Sequence, residues 1–486
     1  MSPDLTGWKS IPRQTSTGVR DVRAPVFFMV WTKAKVMASW HCWRGPLAAV
    51  ALGLVCVTGC SKTTAPSATV PSATPTVSPP APTPPAVPAR AVTANPDDVK
   101  AAKTRIDALG ARATYAPRDG NLLTEIVIKD GSNLTAGDIA LFGKLSDLDK
   151  LQIFNCRTLD DGMVALLSNL QGLTSLAVTN SVINDGGVQM IVKSFPQLTD
   201  LDLSSNTNMT SKVVKILSEN TQLQRLTLVQ NRVNDIGAQR LSKLQELRSL
   251  DLRGNMEAGD MALDVVADLP KLTGFKHRST AVSDSGMESL SRNQTLDSLL
   301  MQDFNVTDLS GPHLAKLGKL TQLEIFRCQG FGSQGVLALK GMGLTRLTLR
   351  DLPNVNDQGM EVFDDLPKLR RLYLHELSSV SDAGLQHLAA LHSLEVLDIW
   401  TVPQLTDATV DVIVTLPKLK ELTIRATGVT DASIDKLLGM KSLQSLIFKD
   451  NGSVTADAAQ KLTTRKWAKL DLGGTGAGDS TETAAP

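Results

Sequence analysis

Carboxylates recur along this chain at near-constant intervals. Asp185, Asp235, Asp284, Asp308, Asp357, Asp382, Asp407 and Asp431 each follow a Ser, Thr or Asn, which in turn follows an aliphatic residue. Evenly spaced carboxylates could ligate a hard cation or serve as acid and base. Gly330-Phe331-Gly332-Ser333-Gln334-Gly335 matches a phosphate-cradling pattern, and Asp351 closes the next strand as a ribose-binding carboxylate would. Cys156, Cys328 and His277 add soft or borderline ligands.

The elements that must position these groups decide among those chemistries. Segments of the form L-x-x-L-x-L begin at Leu123, Leu148, Leu173, Leu198, Leu223, Leu247, Leu272, Leu296, Leu320, Leu344, Leu369, Leu394, Leu419, Leu443 and, with Trp substituted, at Trp467. Every step is 24 or 25 residues. Within a unit the apolar period changes from two to about 3.6. Leu369, Leu372 and Leu374 point inward from a short strand, Val380-Ser381-Asp382-Ala383-Gly384 turns the chain, and Leu385, Leu388 and Leu391 mark one face of a short helix. The recurring aspartates therefore sit at helix starts, where a preceding Ser, Thr or Asn caps and the helix dipole favours negative charge. Capping accounts for them without metal or catalysis.

The same frame absorbs the other candidates. The glycines of 330–335 fall on turn positions that the other units share, and a dinucleotide site needs a doubly wound sheet that this period does not build. Cys156 and Cys328 hold the ninth position of their units, as Asn206, Asn231 and Asn255 do in others. Seven repeats place them on the order of 34 Å apart, so they are expected as two buried free thiols. His277 takes an inward leucine slot and is expected as a satisfied or partly exposed side chain at a local irregularity. Pro312 interrupts the usual turn, so distorted repeats are expected between 272 and 320. No Ser-His-Asp elbow, H-E-x-x-H or paired-Cys motif occurs, so no catalytic residue, metal site or cofactor is assigned.

The leucine framework resembles the leucine-rich-repeat family, in the helix-containing variant with V-[ST]-D-x-G turns found in bacterial envelope proteins. The resemblance covers about residues 121–472. It implies an α/β fold: a right-handed solenoid, or horseshoe, with a parallel sheet on the concave face and short helices on the convex face. It also implies that the ninth position is buried and bonds the backbone of the turn. Residues 97–122 are expected to form a helical N-terminal cap and 123–472 the repeats. Lys466 and Lys469 flank the last strand and oppose edge pairing. Residues 473–486 read as a disordered tail.

Before the repeats the chain changes character. Arg44 precedes an apolar run from Leu47 to Val57, too short to span a membrane and suited to a signal-peptide core. Val57-Thr58-Gly59-Cys60 resembles a bacterial lipobox, which implies a signal peptide over 37–59 and diacylglycerol on the Cys60 thiol. Residues 60–96 are rich in Pro, Thr and Ala and read as a stiff spacer. Residues 1–36 fit no part of such a signal, and Met29 or Met37 is an expected alternative start.

With 50 Lys and Arg against 49 Asp and Glu, the chain has no basic excess for nucleic acid. Residues between and just after the strand leucines face the concave surface. The column after the last leucine reads Arg253, Arg278, Gln302, Phe326, Arg350, His375, Trp400, Arg425 and Lys449, and the column before it holds Glu324, Tyr373 and Asp398. Trp, Tyr and Arg are the residues that anchor interfaces. A ligand site is therefore expected at Phe326, Arg350, Tyr373, His375, Trp400 and Arg425. The function expected is a non-enzymatic, envelope-anchored scaffold facing the periplasm or the exterior and binding an unidentified protein or glycan. The alternatives are a self-associating envelope component and an enzyme with an unrecognised site.

Overall fold

A computed structural model describes residues 94–116 and 119–473, all within the compact unit Pro85–Pro486. The signal-like segment, Cys60, nearly all of the spacer, and the tail beyond 473 lie outside the described residues. The chain forms one 16-stranded sheet in which spatial order follows chain order throughout. β1 (Arg112–Ala116) pairs antiparallel with β2 (Asp119–Ile128). Every later pairing is parallel, through β3 (Lys150–Ile153), β4 (Ser175–Val178), β5 (Asp200–Asp202), β6 (Arg225–Thr227), β7 (Ser249–Asp251) and β8 (Gly274–Arg278). The series continues as β9 (Ser298–Gln302), β10 (Gln322–Phe326), β11 (Arg346–Arg350), β12 (Arg371–His375), β13 (Val396–Trp400), β14 (Glu421–Arg425), β15 (Ser445–Lys449) and β16 (Lys469–Asp471).

The repeat fixes the register, and the register builds the core. Leu299, Leu323, Leu347, Leu372, Leu397, Leu422 and Leu446 align across successive strands, all but sealed from solvent. Met301, Ile325, Leu349, Leu374, Ile399, Ile424 and Phe448 form the next inward row. Alternate strand residues face away from this core, so one face of the sheet stays open. Short helices cover the other face. Strands stack about 4.8 Å apart whereas helices need about 10 Å, so the layers bend with the sheet inside. This is a right-handed leucine-rich-repeat solenoid.

The N-terminal end departs from the expected helical cap over 97–122. α1 (Pro96–Ala108) is capped by the Asn95 side chain and buries Ala102 and Ile106 against the first repeat. Its Arg105 grips Asp138 at 2.7 and 3.0 Å. The helix stops there, and Arg-Ala-Thr-Tyr-Ala folds back as β1. A five-residue edge strand carries too little alternation to register as one.

The aspartates do more than complement their own helices. Asp382 accepts the Thr406 amide at 2.9 Å, the Thr406 hydroxyl at 2.6 Å and the Thr409 hydroxyl, all from the following unit. Asp357 bonds Ser381, Asp284 bonds Thr307 and Ser310, Asp407 bonds Thr430 and Ser433, and Asp431 bonds Thr455. Each carboxylate therefore opens its own helix and also holds a Ser or Thr at the turn into the next, which is the N-cap itself for Ser381, Thr406, Thr430 and Thr455. Burial pushes Asp284, Asp382 and Asp407 up, but these hydrogen bonds overcome it and leave all three below the usual carboxylate value.

The glycines of 330–335 serve this ladder. The Gly332 and Gly335 amides donate to the Asp308 carboxylate at 2.6 and 2.8 Å, so its oxygen stands where a phosphate would be needed. A Cβ at Gly335 would also meet the Phe331 ring at 2.7 Å. Asn206 and Asn255 donate to backbone carbonyls of their own and the preceding unit, and accept amides from that preceding unit. Cys328 fills the same slot with weak contacts to the carbonyls of Met301 and Phe326. Both Cys156 and Cys328 are free and buried, and burial pushes the Cys328 thiol up to about 12.

His277 is fully buried, not partly exposed, with Nε2 2.8 Å from the Ala258 carbonyl and Nδ1 3.1 Å from that of Leu252. The distortion expected between 272 and 320 is not in the sheet, since β8, β9 and β10 keep unbroken register. Pro312 lies in the first turn of the helix Ser310–Ala315, where its missing amide is harmless. The irregularity lies in the turn after β8 and in the late start of the Pro312 helix, whose N-cap, Leu309, makes no side-chain capping bond.

That turn differs because a left-handed residue closes the strand in most other units. Asn155, Asn180, Ser205, Gln230, Asp303, Arg327, Asp351, Glu376, Thr401, Ala426 and Asp450 all have φ between 50° and 62°. Ser279, at the corresponding place after β8, does not. Thr401 is β-branched at φ 53°, the least suited residue of the set. Thr401→Asn is expected to raise the unfolding free energy by about 0.5–1 kcal/mol in urea titration, and an unchanged or lower value would mean the turn carries no such strain.

Candidate binding face

The six residues expected as a site converge on the open face. Phe326, Arg350, His375, Trp400 and Arg425 are register partners on β10 to β14, and Tyr373 lies one pleat back on β12. Alternation puts all six on the solvent side of the sheet, half-buried among one another.

Guanidinium groups and rings interleave along this row. The Arg350 guanidinium carbon lies 4.4 Å from the Phe326 ring centroid and 5.2 Å from that of Trp400. Arg425 covers Trp400 from the other side of the row at 5.3 Å. His375 meets Tyr373 and Trp400 edge-on, with centroids 6.1 and 5.7 Å apart. Carboxylates fix the cations: Arg350 donates to Glu376 at 2.9 and 3.1 Å, and Arg425 donates to Asp450. Such stacked pairs are stabilising, more so where water is excluded.

The structure adds residues that sequence reasoning passed over. Arg327 stacks on Phe326 at 4.4 Å while bonding Asp303, and Arg346 stacks on Tyr373 at 4.9 Å while pairing with Glu324 at 3.3 Å. Burial pushes Asp303 up, yet its bonds from Arg327 and Arg278 hold it below the usual carboxylate value. Arg346 could have been found, since it starts β11 and alternation puts it on the open face. Arg327 could not, because only the left-handed turn brings it back over Phe326.

Three covered polar atoms around Tyr373 lack a hydrogen-bond partner: Arg346 Nε, Thr348 Oγ1 and His375 Nε2. His375 Nε2 lies 3.2 Å from Asp398 Oδ1, within ion-pair reach but not aligned for a hydrogen bond. Unsatisfied groups are scarce in folded proteins, and here three border one ring. Among the described residues no cluster of His, Cys, Asp and Glu could hold a metal ion, and no helix is long and apolar enough to cross a membrane.

The chain is therefore a leucine-rich-repeat solenoid whose open sheet carries an aromatic and arginine row. No family model matches its sequence, and no curated protein matches it. It is similar in structure to an internalin from Listeria monocytogenes at 18% identity, covering 74% of this chain and 98% of that one with a TM-score of 0.43. It is also similar to a chain of the yeast Rad7 and Elc1 complex, at 15% identity over 80% of this chain and 90% of that one, TM-score 0.48. A leucine-rich-repeat protein of Leptospira interrogans aligns at 19% identity over 68% and 80%, TM-score 0.42. At such values the fold assignment rests on the chain's own strand order and register.

Proposed function

We propose that this chain is a non-enzymatic scaffold held at a bacterial cell envelope by a lipid on Cys60, docking a protein partner on the open face of its sheet. The observation that carries the reading is the interleaved row Phe326, Arg350, His375, Trp400 and Arg425, with Tyr373 beside it. Its rings already have guanidinium groups over their faces, which leaves little room for a sugar to stack and favours a broad, preorganised protein contact. The lipobox-like Val57-Thr58-Gly59-Cys60 and the proline-rich segment after it support an anchor with a spacer.

The test uses the full chain as bait in envelope extract, beside the double variant Trp400→Ala, Tyr373→Ala, with fold checked by circular dichroism. The variant is expected to retain at most about a tenth of the specifically bound protein. Equal recovery would overturn the aromatic row as the docking site. In the same cells Cys60→Ala is expected to move the chain from the detergent phase to the aqueous phase, and unchanged partitioning would overturn the anchor. A dimer seen by light scattering in the unmutated chain and lost in the double variant would make a second copy the partner.

A further inference from the structure

The opposite edge of the open face, at the strand N-termini, has a different character. In every second unit from the seventh onward, the residue before the repeat leucine is lysine: Lys271, Lys319, Lys368, Lys418 and Lys466. Between them stand Thr295, Gly343, Ser393 and Ser442, and no earlier unit has a basic residue at this position. Two strand spacings separate successive lysines, roughly 10 Å.

Lys271, Lys319, Lys368 and Arg248 line one depression of about 770 Å³, with Thr273, Thr295 and Thr321 between them. The cations here are less neutralised than elsewhere on the same edge, where Arg370 and Lys420 both pair with Glu395 at 3.1 Å. Lys271 is held by Glu246 at 2.7 Å, but the side chains of Arg248, Lys319 and Lys368 have no ion-pair partner among the described residues. The carboxylate lining the depression, Asp297, accepts the Thr321 hydroxyl at 2.6 Å. The Thr273 and Thr295 hydroxyls donate inward to the Arg248 and Leu272 carbonyls, so their oxygens are left to accept from outside.

We infer that this edge binds an acidic polysaccharide carrying one carboxylate per disaccharide. A comb of charges at roughly 10 Å matches two pyranose rings of an extended chain, and hydroxyl acceptors between the charges suit the intervening sugar hydroxyls. No aromatic side chain lines the depression, so it lacks the stacking platform that single-stranded nucleic acid needs. The inference does not rest on the aromatic row, which lies at the other end of the strands, roughly 17 Å away.

Calorimetry of the full chain with a hyaluronan octasaccharide tests it. Binding is expected, and Lys319→Gln with Lys368→Gln is expected to weaken it about tenfold. Lys368→Ser with Ser393→Lys keeps the net charge but breaks the two-unit spacing, and is expected to weaken binding several-fold. Maltooctaose, of equal length and neutral, is expected not to bind. Trp400→Ala with Tyr373→Ala is expected to leave hyaluronan affinity unchanged, so this inference and the docking row fail separately. No hyaluronan binding, an unaffected spacing variant, or equal affinity for polyglutamate of matched charge would each overturn the inference.

Discussion

Asp382→Ala is expected to lower the unfolding free energy by about 3 kcal/mol at neutral pH, more than a typical surface substitution. The carboxylate accepts three donors from the next unit, and one of them, the Thr409 hydroxyl, has no solvent access. Alanine would leave that hydroxyl buried without an acceptor and would uncouple two repeats at their helix starts. Asp382→Asn retains an acceptor oxygen and is expected to cost about half as much. The loss should vary with pH in a defined direction. Asp382 titrates below its unfolded value, so its contribution is complete above the ordinary carboxylate range and is lost as pH falls through the lowered folded value. Urea titrations at pH 7 and pH 3 should show the gap between wild type and Asp382→Ala narrowing in acid. A constant gap would mean the charge contributes nothing.

His277→Ala is expected to cost a similar amount, about 3 kcal/mol, because it empties a core slot between Phe275 and Phe304. The ring faces two carbonyls, and a neutral imidazole can donate to only one of them. The contact to Ala258 is the shorter, 2.8 Å against 3.1 Å to Leu252. Burial pushes the imidazole down, against opposition from the Ala258 and Leu252 carbonyls and from Asp251 and Asp235. The unfolded chain therefore takes up the proton first as pH falls below about 6.5. Stability is complete above that value and declines below it, by at most about 1.4 kcal/mol per pH unit. His277→Leu, which restores the repeat's own residue, should flatten the slope between pH 6.5 and 5 in urea titrations. An identical slope in both proteins would place the titration elsewhere.

Much of this was legible in the sequence because the repeat enforces it. A leucine every 24 or 25 residues at the same three strand positions admits one register, and from it follow the inward rows and the convergence of Phe326, Arg350, His375, Trp400 and Arg425. The hidden features were those in which a residue acts outside its own unit or against its usual conformation. Asp382 reads as a helix-starting acid, and nothing local announces that its partners are Thr406 and Thr409. Glu376 and Arg327 adopt left-handed turns that their residue types do not advertise. Arg-Ala-Thr-Tyr-Ala at 112–116 is too short to declare itself a strand beside a helix expected to run through it.

The aspartate ladder also gives the solenoid a direction. Each bond runs from a carboxylate in one unit to donors in the next, and several of those donors are buried: Ser310, Thr409 and Ser433. If a unit peels away at the C-terminal end, the one left behind exposes an aspartate that water solvates readily. If a unit peels away at the N-terminal end, its neighbour instead exposes Ser and Thr hydroxyls and amides that have lost a charged acceptor. The two ends of the array are thus chemically unequal fronts, carboxylate-lined where a unit leaves from the C-terminal side and hydroxyl-lined where one leaves from the N-terminal side.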